Sequence, residues 1–131
     1  MELTIDQALQ QGIAAHKEGK LQEAERLYRA ILQTQPTHPD ANHNLGVLSV
    51  SVNKTQAALP LLKMALDANP NQRQFWLTYI DALIKGKQFE NAKEVIDQGK
   101  KMGLVGEKVD ALEEELKQIA QSAMAFSNCH G

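Results

Sequence analysis

The strongest constraint in this sequence is a register of 34 residues. Ala24, Ala58 and Ala92 recur at that interval, as do Pro36 with Pro70 and Gly12 with Gly46. A period of this length marks a repeat architecture in which each unit buries its apolar face only against its neighbours. Three frames follow, 5–38, 39–72 and 73–106. Aromatic residues make up only 5% of the chain, which is sparse for sheet folds resting on large cross-strand side chains and points to helices.

Each frame reads as helix, short polar turn, helix and terminal turn. In the first, Thr4 is placed to cap the opening helix with Gln7 three residues on, Gly19 ends it, and Leu21 to Thr34 form the second helix. In the second frame Asn53, tolerant of the left-handed conformation, stands where Gly19 stood, and Thr55 is expected to cap the next helix. Pro60 is read as a first-turn proline of that helix. Gly86 falls one residue earlier than the register asks. Val47, Val50 and Val52 are β-branched and locally favour a strand, but the matching segments of the other frames read as helix, so the register overrules them. The small residues Gly12, Gly46, Ala24, Ala58 and Ala92 let helix backbones approach closely. Tyr28, Leu62 and Ile96, with Leu45, Trp76 and Tyr79, fill the space around them.

The arrangement resembles the tetratricopeptide repeat over about 5–106. The match is strong in the second frame, at Leu45, Gly46, Ala58, Leu62, Ala65 and Pro70, and good in the first, at Gly12, Gly19, Ala24, Tyr28 and Pro36. The third frame keeps Trp76, Tyr79, Phe89 and Ala92 but departs at three places. Ile80 stands at the small position, Gly99 at an Ala position and Leu104 where Pro belongs, which reads either as a compensating exchange of Ile80 and Gly99 or as a degenerate last repeat. The resemblance implies an all-α fold, a right-handed α-solenoid of three helix-turn-helix units.

After Gly103 and Gly106, Val109, Leu112, Leu116, Ile119, Ala123 and Phe126 alternate at three and four, the signature of one apolar face on a single helix over about 107–126. A fourth repeat in register would need Glu113 and Glu114 at the Leu-Gly positions, so this segment reads as a cap over the last repeat, with Glu113 and Lys117 on its outer side. A docking or dimerising helix is the rival reading. Residues 1–126 then form one domain and 127–131 a flexible tail.

Composition excludes several function classes. Fourteen basic and sixteen acidic side chains give a net charge of −2 with no basic block, which argues against a nucleic-acid partner. No apolar run is long enough for a membrane span, and the single cysteine, Cys129, suits a reducing, cytoplasmic setting. No constellation resembles an active site, so the chain reads as non-catalytic, with no cofactor and no metal expected. His38 and His43 lack the pairing a metal site wants. Cys129-His130 has the residue types of a nucleophile pair but lies in the expected tail, and Glu113-Glu114-Glu115 reads as a solvated face.

Function must then live on a surface. The resemblance implies that the first helix of each repeat lines a concave groove, here with Leu9, Ile13 and His16; Asp40, His43, Asn44, Val47 and Val50; and Gln74, Leu77, Thr78, Asp81 and Ile84. Family members that grip acidic chaperone tails use a clamp of Lys and Asn, then Asn, then Lys and Arg. The same places hold Leu9, Ile13, Asn44, Gln74 and Thr78, so a terminal carboxylate would meet no cation there. The groove is therefore expected to take an apolar or amphipathic segment of a protein partner. An alternative arises from Glu18 to Leu32, with Pro36 and Asn44-Leu45-Gly46, which looks like the N-terminal repeats of bacterial transferases of sugars, sulfate or methyl groups. The chain would then be a recognition arm, or a stand-alone relative, of such an enzyme. A homodimer through the groove or the C-terminal helix is compatible with either reading.

Overall fold

In the computed structural model, which describes residues 3–130 and side chains from Leu3 to Ala123, seven helices follow one another: α1 (Ile5–Lys17), α2 (Leu21–Thr34), α3 (Pro39–Ser51), α4 (Thr55–Ala68), α5 (Arg73–Lys85), α6 (Phe89–Lys101) and α7 (Glu107–His130). No strand occurs among the described residues, and Val47 and Val50 lie within α3. Thr4 Oγ1 accepts from the Gln7 N–H at 3.1 Å while Gln7 Oε1 accepts from the Thr4 N–H at 3.0 Å, the reciprocal cap expected.

The 34-residue register is written into the turns as backbone conformation. Gly19, Asn53 and Lys87 all have positive φ, at 80°, 64° and 62°. In each case the next N–H, of Lys20, Lys54 or Gln88, reaches back to Ala15, Ser49 or Leu83 at 2.8 Å and satisfies a carbonyl at the helix end. Gly86 has φ −82° and caps α5, one residue before the left-handed place of the register, which falls on Lys87. A second tie repeats too. Asn42 Nδ2 donates to the Pro36 carbonyl at 3.0 Å and Trp76 Nε1 to the Pro70 carbonyl at 2.8 Å, each fastening a new helix to the turn before it.

Two local expectations are corrected. Thr55 is the first helical residue of α4 and not its cap; Lys54 holds that place without a side-chain bond. Pro60 is the sixth residue of α4, past the free first turn, so its ring leaves the Gln56 carbonyl without a helical partner. Pro60 is exposed, which leaves that edge of the helix to solvent.

Small residues set the helix spacing. A Cβ on Gly12 would stand 2.6 Å from the Tyr28 ring, and one on Gly46 would stand 2.5 Å from Leu62. The third pair places Ile80 and Ile96 at those register positions, both buried, and α5 and α6 approach one another less closely than α1 and α2 or α3 and α4. Gly99 serves a different contact from the exchange with Ile80: its nearest neighbours are Leu104, at 2.7 Å from a built Cβ, and Trp76. It makes room for the leucine at the proline position, where the chain turns towards α7.

That helix caps the last repeat. Val109 is fully buried, and Leu112, Leu116 and Ile119 pack half-buried against α5 and α6. The Arg73 guanidinium donates to the Val105 carbonyl, and Glu113 is paired with Lys100 of α6 and so ties the cap down instead of facing outward. Ala123 is exposed, and the Phe126 side chain lies outside those described. The helix runs past the expected limit of about 126 to His130, over most of the segment read as a tail; Gly131 lies outside the described residues.

Two outcomes follow for stability. Lys87→Gly is expected to gain about 0.5–1 kcal/mol by relieving the left-handed strain, seen as a higher urea midpoint. Leu116→Glu is expected to lose about 1–2 kcal/mol because the last repeat loses apolar cover, while Lys117→Glu leaves the midpoint unchanged.

Candidate functional site: a cleft walled by three helices

The first helices of the second and third repeats lie side by side, and α7 packs beyond them on α5. Between them opens a cleft of about 570 Å³, lined by His43 and Val47 of α3, by Gln74, Leu77, Thr78 and Asp81 of α5, and by Lys108, Ala111, Leu112 and Glu115 of α7. Its apolar lining comes from Val47, Leu77, Ala111 and Leu112.

The α3–α5 wall carries a connected chain of hydrogen bonds. Gln74 Nε2 donates to Thr78 Oγ1 at 3.0 Å, Thr78 Oγ1 lies 3.0 Å from His43 Nε2, and His43 Nδ1 lies 3.3 Å from Asn44 Oδ1. A neutral imidazole with its proton on Nδ1 satisfies every link: it donates to Asn44 and accepts from the Thr78 hydroxyl. The ring also packs on Phe75, with centroids 4.7 Å apart. Burial pulls the His43 pKa below its ordinary value, against smaller upward pulls from the Asn44 hydrogen bond and from Asp40. The side chain is therefore a neutral bridge between repeats at physiological pH.

Of the residues anticipated from sequence, the structure gathers His43, Val47, Gln74, Leu77, Thr78 and Asp81 in this cleft. It takes the others elsewhere. Leu9 and Ile84 are buried in the core, and Leu77, only 6% exposed, presents no more than an edge. Ile13 packs against the N-terminal core and Val50 against the C-terminal one. His16 meets Tyr28 edge-on, with centroids 6.4 Å apart. Asp40 is exposed beside the site, Asn44 supports His43 from behind, and Asp81 is paired with Lys85 at 3.0 Å. His38 caps α3, its Nδ1 accepting from the Ala41 N–H at 3.1 Å.

Sequence reasoning missed the whole α7 wall, together with Phe75 beneath His43. Lys108, Ala111, Leu112 and Glu115 stand at helical spacing on one stripe of α7, a signal present in the sequence but adjacent to the apolar face that drew attention. A second hollow, of about 590 Å³, opens between α4 and α6 over Trp76 and Tyr79. Two of its edge donors are already engaged: the Trp76 indole holds Pro70, and Lys63 is paired with Asp67 at 2.9 Å. No group of three or more His, Cys, Asp or Glu side chains is placed to hold a metal among the described residues, and no helix is long and apolar enough to cross a membrane.

The depressed His43 pKa fixes the sign of a pH effect. Below about pH 6.5 the unfolded chain takes up a proton that the folded site resists, so stability falls as pH drops through the ordinary imidazole range. Urea midpoints at about pH 7.5 and 5.5 should differ in that direction, and His43→Gln should shrink the difference.

A family model described as tetratricopeptide repeat matches residues 49–116. No curated protein matches the chain. Among solved structures, the Sgt2 TPR domain from Aspergillus fumigatus is 19% identical with a TM-score of 0.79, over 92% of this chain and 82% of that one. The first TPR of Spaghetti (RPAP3), bound to the HSP90 peptide SRMEEVD, is 19% identical with a TM-score of 0.74, over 95% and 98%. An O-GlcNAc transferase mutant from Thermobaculum terrenum is 21% identical with a TM-score of 0.68, over 79% of this chain and 21% of that one. Three helix pairs joined by matching left-handed turns, a capping helix and the family match together make this chain a member of the tetratricopeptide repeat family.

Proposed function

We propose that the chain is a non-catalytic protein-interaction module whose three-helix cleft takes an apolar or amphipathic segment of a partner protein. The observation that carries this is the cleft's construction: an apolar lining from Val47, Leu77, Ala111 and Leu112, with an amide, a hydroxyl and an imidazole along one wall. Such a surface rewards burial of one helix face and orients it through a few hydrogen bonds. The TPR of Spaghetti was solved with an HSP90 peptide bound. Here a carboxylate-rich tail of that kind is disfavoured, because the five clamp places hold Leu9, Ile13, Asn44, Gln74 and Thr78, and the single cleft ammonium, Lys108, shares its stripe with Glu115. A reducing cytoplasm, of a bacterium if the transferase likeness holds, is the setting this reading assigns. The likeness to part of an O-GlcNAc transferase favours a second reading, in which the same cleft serves as the recognition arm of, or a relative of, a bacterial glycosyl-, sulfo- or methyltransferase.

Affinity capture from lysate, comparing wild type with Val47→Glu/Ala111→Arg, tests the proposal. Ala111 is exposed and Val47 half-buried, so the variant is expected to keep its helical spectrum. Proteins retained by the wild type alone support the cleft as the binding surface. Identical catches, or none, from a chain that also stays monomeric would overturn it.

A further inference from the structure

The α7 side of the cleft has a pattern the other walls lack. Lys108, Ala111, Leu112 and Glu115 form one stripe two turns long, with a cation at one end, an anion at the other and apolar side chains between. Lys108, Ala111 and Glu115 are exposed, and neither charge has an ion-pair partner among the described residues. Of the other charges in this part of the helix, Glu113 is held by Lys100, Asp110 and Lys117 fall on the far side of the helical wheel, and Glu107 and Glu114 stand about 100° from the stripe's centre on its Ala111 side.

A stripe of this kind is complementary to itself. When two copies of α7 lie antiparallel about a twofold axis between Ala111 and Leu112, Lys108 of each faces Glu115 of the other, and Ala111 of each faces Leu112 of the other. A parallel pair would set Lys108 against Lys108 and Glu115 against Glu115, so the charges select the antiparallel arrangement. Ala111 at the centre allows close backbone approach. Val105, the most exposed large apolar side chain described, at 67%, falls level with Gln118 and Ile119 of the other copy. The contact closes on itself as an isologous dimer and leaves no surface to propagate.

We infer that the partner helix seated in this cleft is α7 of a second copy of the same chain, docked antiparallel through reciprocal Lys108–Glu115 pairs. The inference rests on the reading of the cleft as a helix-binding surface and names the helix. Val47, Leu77 and Thr78 of one protomer then meet the α7 of its partner, so each copy completes the cleft of the other.

Sedimentation velocity on five samples tests it: wild type, Lys108→Glu, Glu115→Lys, the double exchange Lys108→Glu/Glu115→Lys, and an equimolar mixture of the two single variants. Wild type is expected to dimerise, and to do so more weakly as salt rises. Each single variant places like charges opposite one another twice and weakens the dimer by about tenfold or more. The double exchange restores it, and the mixture forms a heterodimer in which both pairs are again opposite in sign. Ala111→Arg, which leaves the charges in place, loses the dimer by blocking its centre. A monomeric wild type, single variants that dimerise as well as wild type, or a mixture no tighter than its components would each overturn the inference. The lysate capture separates this failure from that of the cleft reading: a monomeric wild type that still retains proteins lost by Val47→Glu/Ala111→Arg overturns self-pairing alone, and a monomeric wild type with identical catches overturns both.

Discussion

A pair of antiparallel helices has more apolar surface than the pair itself can bury, and everything else in this molecule follows from that surplus. Each pair hands an unburied face to the next, so the units must stack at a fixed angle and spacing. Gly12 and Gly46 set the spacing within the first two pairs by admitting the Tyr28 ring and Leu62 where no Cβ would fit. The carbonyls of Pro36 and Pro70, taken up by Asn42 and Trp76, set how each pair meets the one before. At the end of the stack the surplus has no further repeat to receive it, and α7 takes that role with Val109 fully buried at its start. The cleft is a by-product of the same arrangement. A helix that covers α5 and α6 must stand beside the concave face of α3 and α5, and the space between becomes a walled recess.

The polar chain across α3 and α5 gives that recess a defined chemistry. Its links run from Gln74 through Thr78 and His43 to Asn44, and the neutral ring with Nδ1 protonated, the form that burial favours, satisfies all of them at once. Because Gln74 and Thr78 belong to one repeat and His43 and Asn44 to another, the chain also fixes the rotation of one pair against the next. An interface that is otherwise apolar and non-directional acquires a directional contact at the place where the cleft needs a fixed shape.

The repeat was legible because its markers are backbone requirements. Gly19 and Asn53 signal a left-handed turn by residue type, and the alanines signal close approach. Lys87 gave no such signal, since a lysine occupies the left-handed region only when the bonds around it impose the turn. Thr55 and Pro60 misled for a related reason: helix starts are decided by where the preceding turn ends, and that turn is set by the repeat. The site was less legible. Frame positions carried over from a resemblance address only the repeats, so the α7 wall lay outside them. Adjacent positions on a helix also differ by about 100° in direction, enough to put Leu9 and Ile84 into the core while their frame neighbours face the groove.

The hydrophobic interior gathers into two clusters. One cluster gathers α1, α2 and the Ala41, Leu45 and Leu48 side of α3; the other runs from Ala58 of α4 through α5 and α6 to Val109 of α7. The seam passes through the second repeat, between its two helices, with Val50 and Leu61 reaching across from either side. Yet α3 and α4 make the most extensive helix-to-helix contact in the chain, with Gly46 against Leu62, so the second repeat holds the two clusters together. Under mechanical load or protease attack the weaker junction is the one between α2 and α3, so the first helix pair can detach as one piece and the break would fall at that repeat boundary.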